Sequence, residues 1–526
     1  MAPRDASAGD DTSSIDLLQS ALAGLYTPRR LAAALLVSAA LFLLLVNDSW
    51  RLTPDSALYM SLGRSMADQG DYRFNGDPHT LVPPGYPAVL AVLRWVFGDG
   101  FAGCRAAHAL MGWLCGVVVF LALGRMHGKD VAFAVLLVLV VSHSLFKRSA
   151  YFLSDVPFAL ATWSAIYLAA RAVSAGRLAW LWALATGAAL AAVPLIRING
   201  WGVLPAVAVA LAAAWRRRGW RGWGLVALVT APAAAAPALW QAWAATAEVP
   251  DKVTYVSAVM DRGGEFLGLY ADCLIGYPKE TAVAMLGFPD VPTGVDIAVL
   301  VPVVVGLAVF LNRASVLLPV LVLVQYAGLA LSTPGERYLI PLLPALYLFG
   351  LAGLVAIARA VARRSVSIAR WRLAPLLAAV MLVVICINIG RDGKAIWQAR
   401  TAVPGGAEPA EMQCWFTACA WLRSHDGDPA HPPVVLARQA GIVHYLAGAR
   451  GVFSEAVARS GAVSERPTYV LMDRGSEDLV AICAAIDKAG GTLEPVPDVP
   501  GIEPLEILRV TWRISGSAEC GVRSAE

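Results

Sequence analysis

Charge is scarce in this chain. Of its 526 residues only 15% are Asp, Glu, Lys or Arg, against 58% hydrophobic, and the mean hydropathy is +0.61. A soluble protein of this length cannot hide so much apolar surface, so the composition reads as a polytopic membrane protein. A net charge of +4 gives no sign of a nucleic-acid partner. The seven His have no ligand spacing, and His79, His108 and His143 read as structural. There is no CxxC pair, residues 391–526 hold no P-loop or GxGxxG, and no internal repeat of the kind inverted-repeat transporters carry is found. The polar start (Asp10-Asp-Thr-Ser-Ser14) lacks the apolar core of a cleavable signal peptide, so the first apolar helix is expected to stay as a signal anchor.

Apolar runs of roughly 17 to 25 residues are what the chain has in abundance. Eleven candidate spans lie near 31–47, 104–124, 130–146, 156–173, 178–195, 200–214, 224–247, 294–311, 315–332, 338–359 and 373–390. Lys and Arg mark the cytoplasmic loops. With the N-terminus inside, the inner loops hold Arg29, Arg30, Arg125, Lys129, Arg171, Arg177, Arg216, Arg217, Arg218 and Arg221, then Arg313, Arg359, Arg363, Arg364, Arg370 and Arg372. Asp130 is the one acid beside them, and nearly all other Asp and Glu fall on the opposite face. An odd number of spans then puts the C-terminus outside.

Residues 1–30 read as a flexible cytoplasmic tail whose second half, 15–26, has the pattern of an amphipathic surface helix. Residues 31–390 form the membrane domain, with outer loops at 48–103 and 248–293. Residues 391–526 are polar, with short apolar runs at 434–437, 468–472 and 505–510 between helical patterns at about 411–423, 439–447 and 476–489. Strands alternating with helices predict a small extracytoplasmic α/β domain. Four of the eight cysteines, Cys414, Cys419, Cys483 and Cys520, fall in it. They read either as up to two disulfides or as ordinary core residues.

Three groups on the outer face can carry chemistry. Asp55 leaves the first span in Thr53-Pro-Asp-Ser56; a carboxylate there can take a proton from a hydroxyl, or simply cap the helix that starts at Pro54. Asp155, in Tyr151-Phe-Leu-Ser-Asp-Val-Pro157, is a second outer carboxylate with the same alternative. The two could flank one site or share a divalent cation, though two Asp alone specify a metal weakly. Lys147, Arg148, Arg197 and Arg337, with Arg64 and Arg73 in the first loop, are outer cations. They suit an anionic lipid phosphate, or else snorkel to the interface.

Taken in order, several short motifs resemble the GT-C superfamily of polyprenyl-phosphate-dependent glycosyltransferases, in the branch of protein O-mannosyltransferases and ArnT-type transferases. They are Asp55 with Tyr59 and Gly70-Asp-Tyr72, Pro83-Pro-Gly-Tyr-Pro87, Ser154-Asp155-Val-Pro157, and Gly335-Glu-Arg-Tyr-Leu-Ile-Pro-Leu-Leu-Pro344. The family's second acid is here Ser56, its Arg is Leu58, and the Lys before the Pro-Pro pair is Val82. A phosphate-binding cation must therefore come from Arg337, Arg197, Lys147 or Arg148.

The resemblance implies a GT-C-like α-helical fold of about 11 spans. It implies an inverting transfer of a sugar from a polyprenyl-phosphate donor to an acceptor hydroxyl on a lipid, glycan or protein at the periplasmic side of a bacterial inner membrane. Asp55 and Asp155 would be catalytic. Tyr59, Tyr86, Lys147, Arg148, Arg197, Glu336, Arg337 and Tyr338 would bind substrate. No cofactor is obligate, and a divalent cation is an optional aid. The competing classes are a flippase for lipid-linked saccharides and a non-catalytic assembly subunit.

Overall fold

The computed structural model describes residues 14–248, 266–288, 291–312, 316–329, 334–364, 373–402, 404–408, 412–426, 431–454, 457–458, 463, 466–474, 476–497 and 499–512. It divides into two compact units. A membrane unit takes the described residues within 1–48, 63–73 and 77–401; a tail unit takes those within 49–62, 74–76 and 402–526. Residues 249–265 and 289–290 of the outer loop at 248–293, including Asp251, Asp261, Glu265 and Asp290, lie outside the described residues, and Phe266–Leu286 is helical.

Among the described residues eight helices are long and apolar enough to cross a bilayer. Three more of the expected spans are helical but short or broken. Pro28–Leu43 has 16 residues and Leu317–Leu329 has 13. The run at 130–146 splits into Lys129–Leu139 and His143–Arg148. At about 1.5 Å per residue neither half spans a hydrocarbon core. The split occurs because the freed backbone N–H of His143 has a partner elsewhere: it donates to Asn388 Oδ1 at 2.7 Å. Apolarity alone could not reveal a break satisfied from another helix.

The helix Glu336–Val361 is 83% buried over its apolar window, whereas Trp220–Thr246, Thr293–Leu311 and Leu373–Thr401 are each 22% buried. The first is therefore the core, and the other three are apolar all round because they face lipid. Thr293–Leu311 and Leu343–Arg364 meet backbone to backbone. A Cβ added at Gly306 would stand 1.9 Å from the Phe349 carbonyl oxygen, and one at Gly353 1.8 Å from that of Pro302. Small residues do this work in membranes, where close packing replaces a hydrophobic driving force.

Two expected boundaries move. Residues 14–30 are not a loose tail. Ser14–Leu22 is a helix with Leu17, Leu18 and Leu22 buried, and Gln19 Nε2 donates to the His127 carbonyl at 3.0 Å. At the other end, Leu373–Thr401 runs past 390, burying Asn388, Asp392, Ala395 and Ala399 at helical spacing through a polar stretch.

The tail unit has the expected α/β character. Its five-stranded sheet is ordered Arg450–Phe453, Val434–Ala437, Tyr469–Asp473, Leu505–Trp512, Gly491–Pro495. The first three strands are parallel and the last two pairings antiparallel. Helices Gln413–Asp426, Ala440–Ala447 and Glu477–Lys488 accompany it. The strands at 450 and 491 were not legible, being short and half polar. Cys414, Cys419 and Cys483 are free thiols, so among them the core-residue reading holds; Cys520 lies outside the described residues. A separate pairing joins Trp50–Arg51 to Ala407–Glu408 in parallel, which is how part of the first outer loop comes to belong to the tail unit.

Candidate active site

The membrane unit gathers most of the expected outer-face residues. Asp155 opens the helix Asp155–Ser174 and is 1% exposed. Its partner is Arg197, whose Nη1 donates to Asp155 Oδ1 and lies 3.4 Å from Ser154 Oγ. Arg197 is the extended residue that ends Ala179–Ile196. That helix end is crowded: a Cβ at Gly85 would lie 2.7 Å from the Leu195 carbonyl. The Pro-Pro-Gly-Tyr-Pro motif thus seats Gly85, which alone has no side chain to clash, against the backbone two residues before Arg197.

The Arg197 guanidinium also lies 4.6 Å from the Tyr338 ring centroid, with Arg337 at 5.0 Å from the same ring. Arg337 Nη2 donates to Tyr338 Oη at 3.0 Å. These residues sit on the 3-10 segment Glu336–Leu342, anchored where Trp163 Nε1 donates to the Pro341 carbonyl at 2.8 Å. Glu336 in turn accepts from Arg148 Nη2 at 2.7 Å. Burial, and then the nearby charge of Glu336, raise the Glu280 carboxyl above its ordinary pKa. The result is a row of guanidinium groups, Arg148, Arg197 and Arg337, interleaved with Asp155, Glu336 and Tyr338. Lys147, half-buried beside Arg148, has no acidic partner among the described residues. Such a set can hold and stabilise a phosphate group.

Other candidates are placed differently. Tyr86 is fully buried and its hydroxyl is 2.8 Å from His108 Nε2. His108 Nδ1 faces the Cys104 carbonyl at 2.9 Å; a carbonyl only accepts, so Nδ1 carries the proton and Tyr86 donates to Nε2. Tyr86 is therefore an internal tie rather than a ligand-facing residue. In the first loop a half-buried Arg64 lies 3.7 Å from an exposed Asp99, and Arg73 lies 3.2 Å from Asp71 in an exposed pair. Among the described residues no three His, Cys, Asp or Glu side chains gather as metal ligands.

Asp55 belongs to the tail unit, half-buried in the first turn of Pro54–Gln69, with Tyr59 one turn further along. It is not the helix cap. Thr53 Oγ1 accepts from Ser56 N at 3.1 Å, and Ser56 Oγ accepts from Thr53 N at 3.0 Å. This is a capping box with Ser in the position usually held by Glu or Gln. The departure at Ser56 thus has a structural job. The Thr53-x-x-Ser56 spacing is visible in the sequence, but Ser in place of Glu or Gln leaves the capping box unmarked there.

Comparison with known proteins fits this geometry. Residues 81–241 match the family described as dolichyl-phosphate-mannose-protein mannosyltransferase. ArnT from Cupriavidus metallidurans bound to undecaprenyl phosphate is similar in structure. It has a TM-score of 0.57 at 13% identity, over 92% of this chain and 98% of that one. The apo form gives 0.56 at 16%, over 91% and 97%. The archaeal oligosaccharyltransferase AglB from Archaeoglobus fulgidus, in complex with an inhibitory peptide and a dolichol-phosphate, gives 0.53 at 13%, over 89% and 73%. No curated protein sequence matches the chain. The fold is thereby defined: this chain shares the fold of the solved ArnT and AglB structures.

Proposed function

We propose that this chain is a membrane glycosyltransferase that moves a sugar from a polyprenyl-phosphate donor to an acceptor hydroxyl, inverting the anomeric carbon. The observation that carries the reading is the guanidinium row of Arg148, Arg197 and Arg337 within a GT-C fold. In this reaction the acceptor hydroxyl loses a proton, its oxygen attacks the anomeric carbon, and polyprenyl phosphate departs with its bonding pair. The departing phosphate gains charge, and preformed donors aimed at developing charge are the largest lever an enzyme has.

The roles divide as follows. Arg197, Arg148, Arg337 and Lys147 serve the phosphate, compensating for Val82 where relatives carry Lys. Asp155 holds Arg197 in place; with Oδ1 already occupied, orientation suits it better than proton abstraction. Asp55 takes the acceptor proton, a role given by its motif position at the start of Pro54–Gln69. Guanidinium groups supply the positive charge, so no obligate metal is assigned, and turnover is expected to survive EDTA. A cavity of about 220 Å³ lined by Val138, Met285, Leu286, Leu351 and Met381 has the apolar character a polyprenyl tail requires. The charge pattern of the loops supports an N-terminus on the cytoplasmic side and a tail unit on the opposite side, which in a bacterial inner membrane is the periplasm. The acceptor is a lipid, glycan or protein hydroxyl.

The test is release of polyprenyl phosphate from a panel of polyprenyl-phosphate sugars by purified protein. Wild type should release it. Asp55→Asn should be slower by about 10²–10⁴-fold, the usual contribution of a general base. Normal release by Asp55→Asn would remove the base from this reading.

A further inference from the structure

We propose that the tail unit builds the seat of Asp55, with Trp50, Glu408 and Gly441 as positioning residues for it. This rests on the assignment of Asp55 as base. The first turn of Pro54–Gln69 is held from three directions, all within the tail unit.

Trp50 is 0% exposed, and its indole N–H donates to Ser56 Oγ at 3.0 Å, the residue next to Asp55. The ring is fixed edge-on between Tyr445, at 5.1 Å, and Phe416, at 6.1 Å. Those two side chains stand on helices Ala440–Ala447 and Gln413–Asp426.

Next to Trp50, Arg51 forms an ion pair with Glu408, the two being 4% and 1% exposed. The other carboxylate oxygen of Glu408 accepts from Ser49 Oγ at 3.0 Å. Backbone pairing of Trp50 with Ala407 and of Arg51 with Glu408 sets the register, and Trp50 N donates to the Gly406 carbonyl at 3.0 Å. A buried pair of this kind is weak evidence for stability but a good device for specifying one arrangement.

Finally, the helix Ala440–Ala447 presents Gly441 to the same turn. A Cβ there would lie 3.4 Å from Ala57 Cβ and Leu58 N, and 3.5 Å from the Pro54 carbonyl. There is room for a methyl group and nothing larger without moving the turn that carries Asp55.

A domain that only recruits an acceptor has no need of these contacts. A domain that sets the base must have them, since a misplacement of about 1 Å can cost about a hundredfold in rate.

The experiment uses full-length protein in nanodiscs: wild type, Asp55→Asn, Glu408→Gln, Gly441→Ala, Gly441→Leu, and Asp55→Asn with Glu408→Gln. Turnover and donor KM are read from released polyprenyl phosphate, and amide exchange is read at Ser56 and Ala57. Glu408→Gln and Gly441→Leu should lower kcat by about tenfold to a hundredfold. Donor KM should stay within a few-fold, exchange at Ser56 and Ala57 should quicken, and the loss should grow from Ala to Leu at 441. The double variant should be no slower than Asp55→Asn alone. If Glu408→Gln does not fold, Trp50→Phe, which keeps a ring and removes the N–H, carries the same comparison. Wild-type kcat in Glu408→Gln and Gly441→Leu beside a dead Asp55→Asn would overturn the positioning role and leave the base standing. An additive loss in the double variant would overturn it as well. Normal turnover by Asp55→Asn would instead overturn the base, and the positioning role with it.

Discussion

A single carboxylate or guanidinium in this chain means little until its partner is known. Asp155 and Arg197 show why. Asp155 is 1% exposed and Arg197 13%, so removing either partner strands a charge out of water. Breaking a buried pair typically costs about 3–5 kcal/mol. Asp155→Ala and Arg197→Ala are both expected to lower the thermal unfolding midpoint sharply. Replacing the pair together by apolar residues should recover much of that stability while turnover stays lost; equal loss of stability in all three would contradict this account. His79 gives a pH signature. Burial lowers its pKa from 6.5 to about 4, so the unfolded chain takes up the proton first as the solution is acidified. The fold should lose stability progressively as pH falls from about 6.5 to about 4, and His79→Gln should flatten that stretch of the unfolding curve.

Elements here are held by what their small residues permit. Gly306 and Gly353 allow Thr293–Leu311 and Leu343–Arg364 to approach to backbone contact. Any side chain at Gly306 would meet a carbonyl oxygen rather than a movable group, so Gly306→Leu is expected to yield little monodisperse protein on size exclusion. Gly224 has nothing within 4 Å of its would-be Cβ, and Gly224→Ala should behave as wild type. Helix starts are handled as carefully. Phe101–His127 has no side-chain cap of its own; Asp48 Oδ1 accepts from the amides of Phe101 and Ala102, at 2.9 and 3.2 Å. Charge at an N-terminal turn is favourable in any case, so an acid near a helix start is ambiguous in sequence. Asp48 caps the helix at Phe101, whereas beside Asp55 the capping is done by Thr53.

For the molecule as a whole, the distribution of Lys and Arg sets an orientation that can be measured directly. Single cysteines in place of Arg217 and Arg474, in a background lacking the other thiols, report it through a membrane-impermeant maleimide on sealed spheroplasts. Cys at 474 should label at once and Cys at 217 only after permeabilisation. The reverse pattern would invert the proposed topology and place Asp55 on the side where nucleotide sugars are available. That outcome would undo the argument for a lipid-linked donor.

The membrane class, the helical segments, the α/β character of the tail and the short motifs that led to the fold were all legible in the sequence. Each depends on local quantities: apolar run length, periodicity, loop charge, and short motifs whose order is preserved along the chain. Tertiary structure alone decided the rest. It broke the run at 130–146, where the backbone N–H of His143 donates to Asn388, 245 residues away. It retired Tyr86 as a ligand by giving its hydroxyl to His108. It joined Asp155 to Arg197 across 42 residues and Arg51 to Glu408 across 357. Burial and pairing are properties of distance in space, and where two polar groups 357 residues apart share one dry contact, nothing in the order of the residues records it.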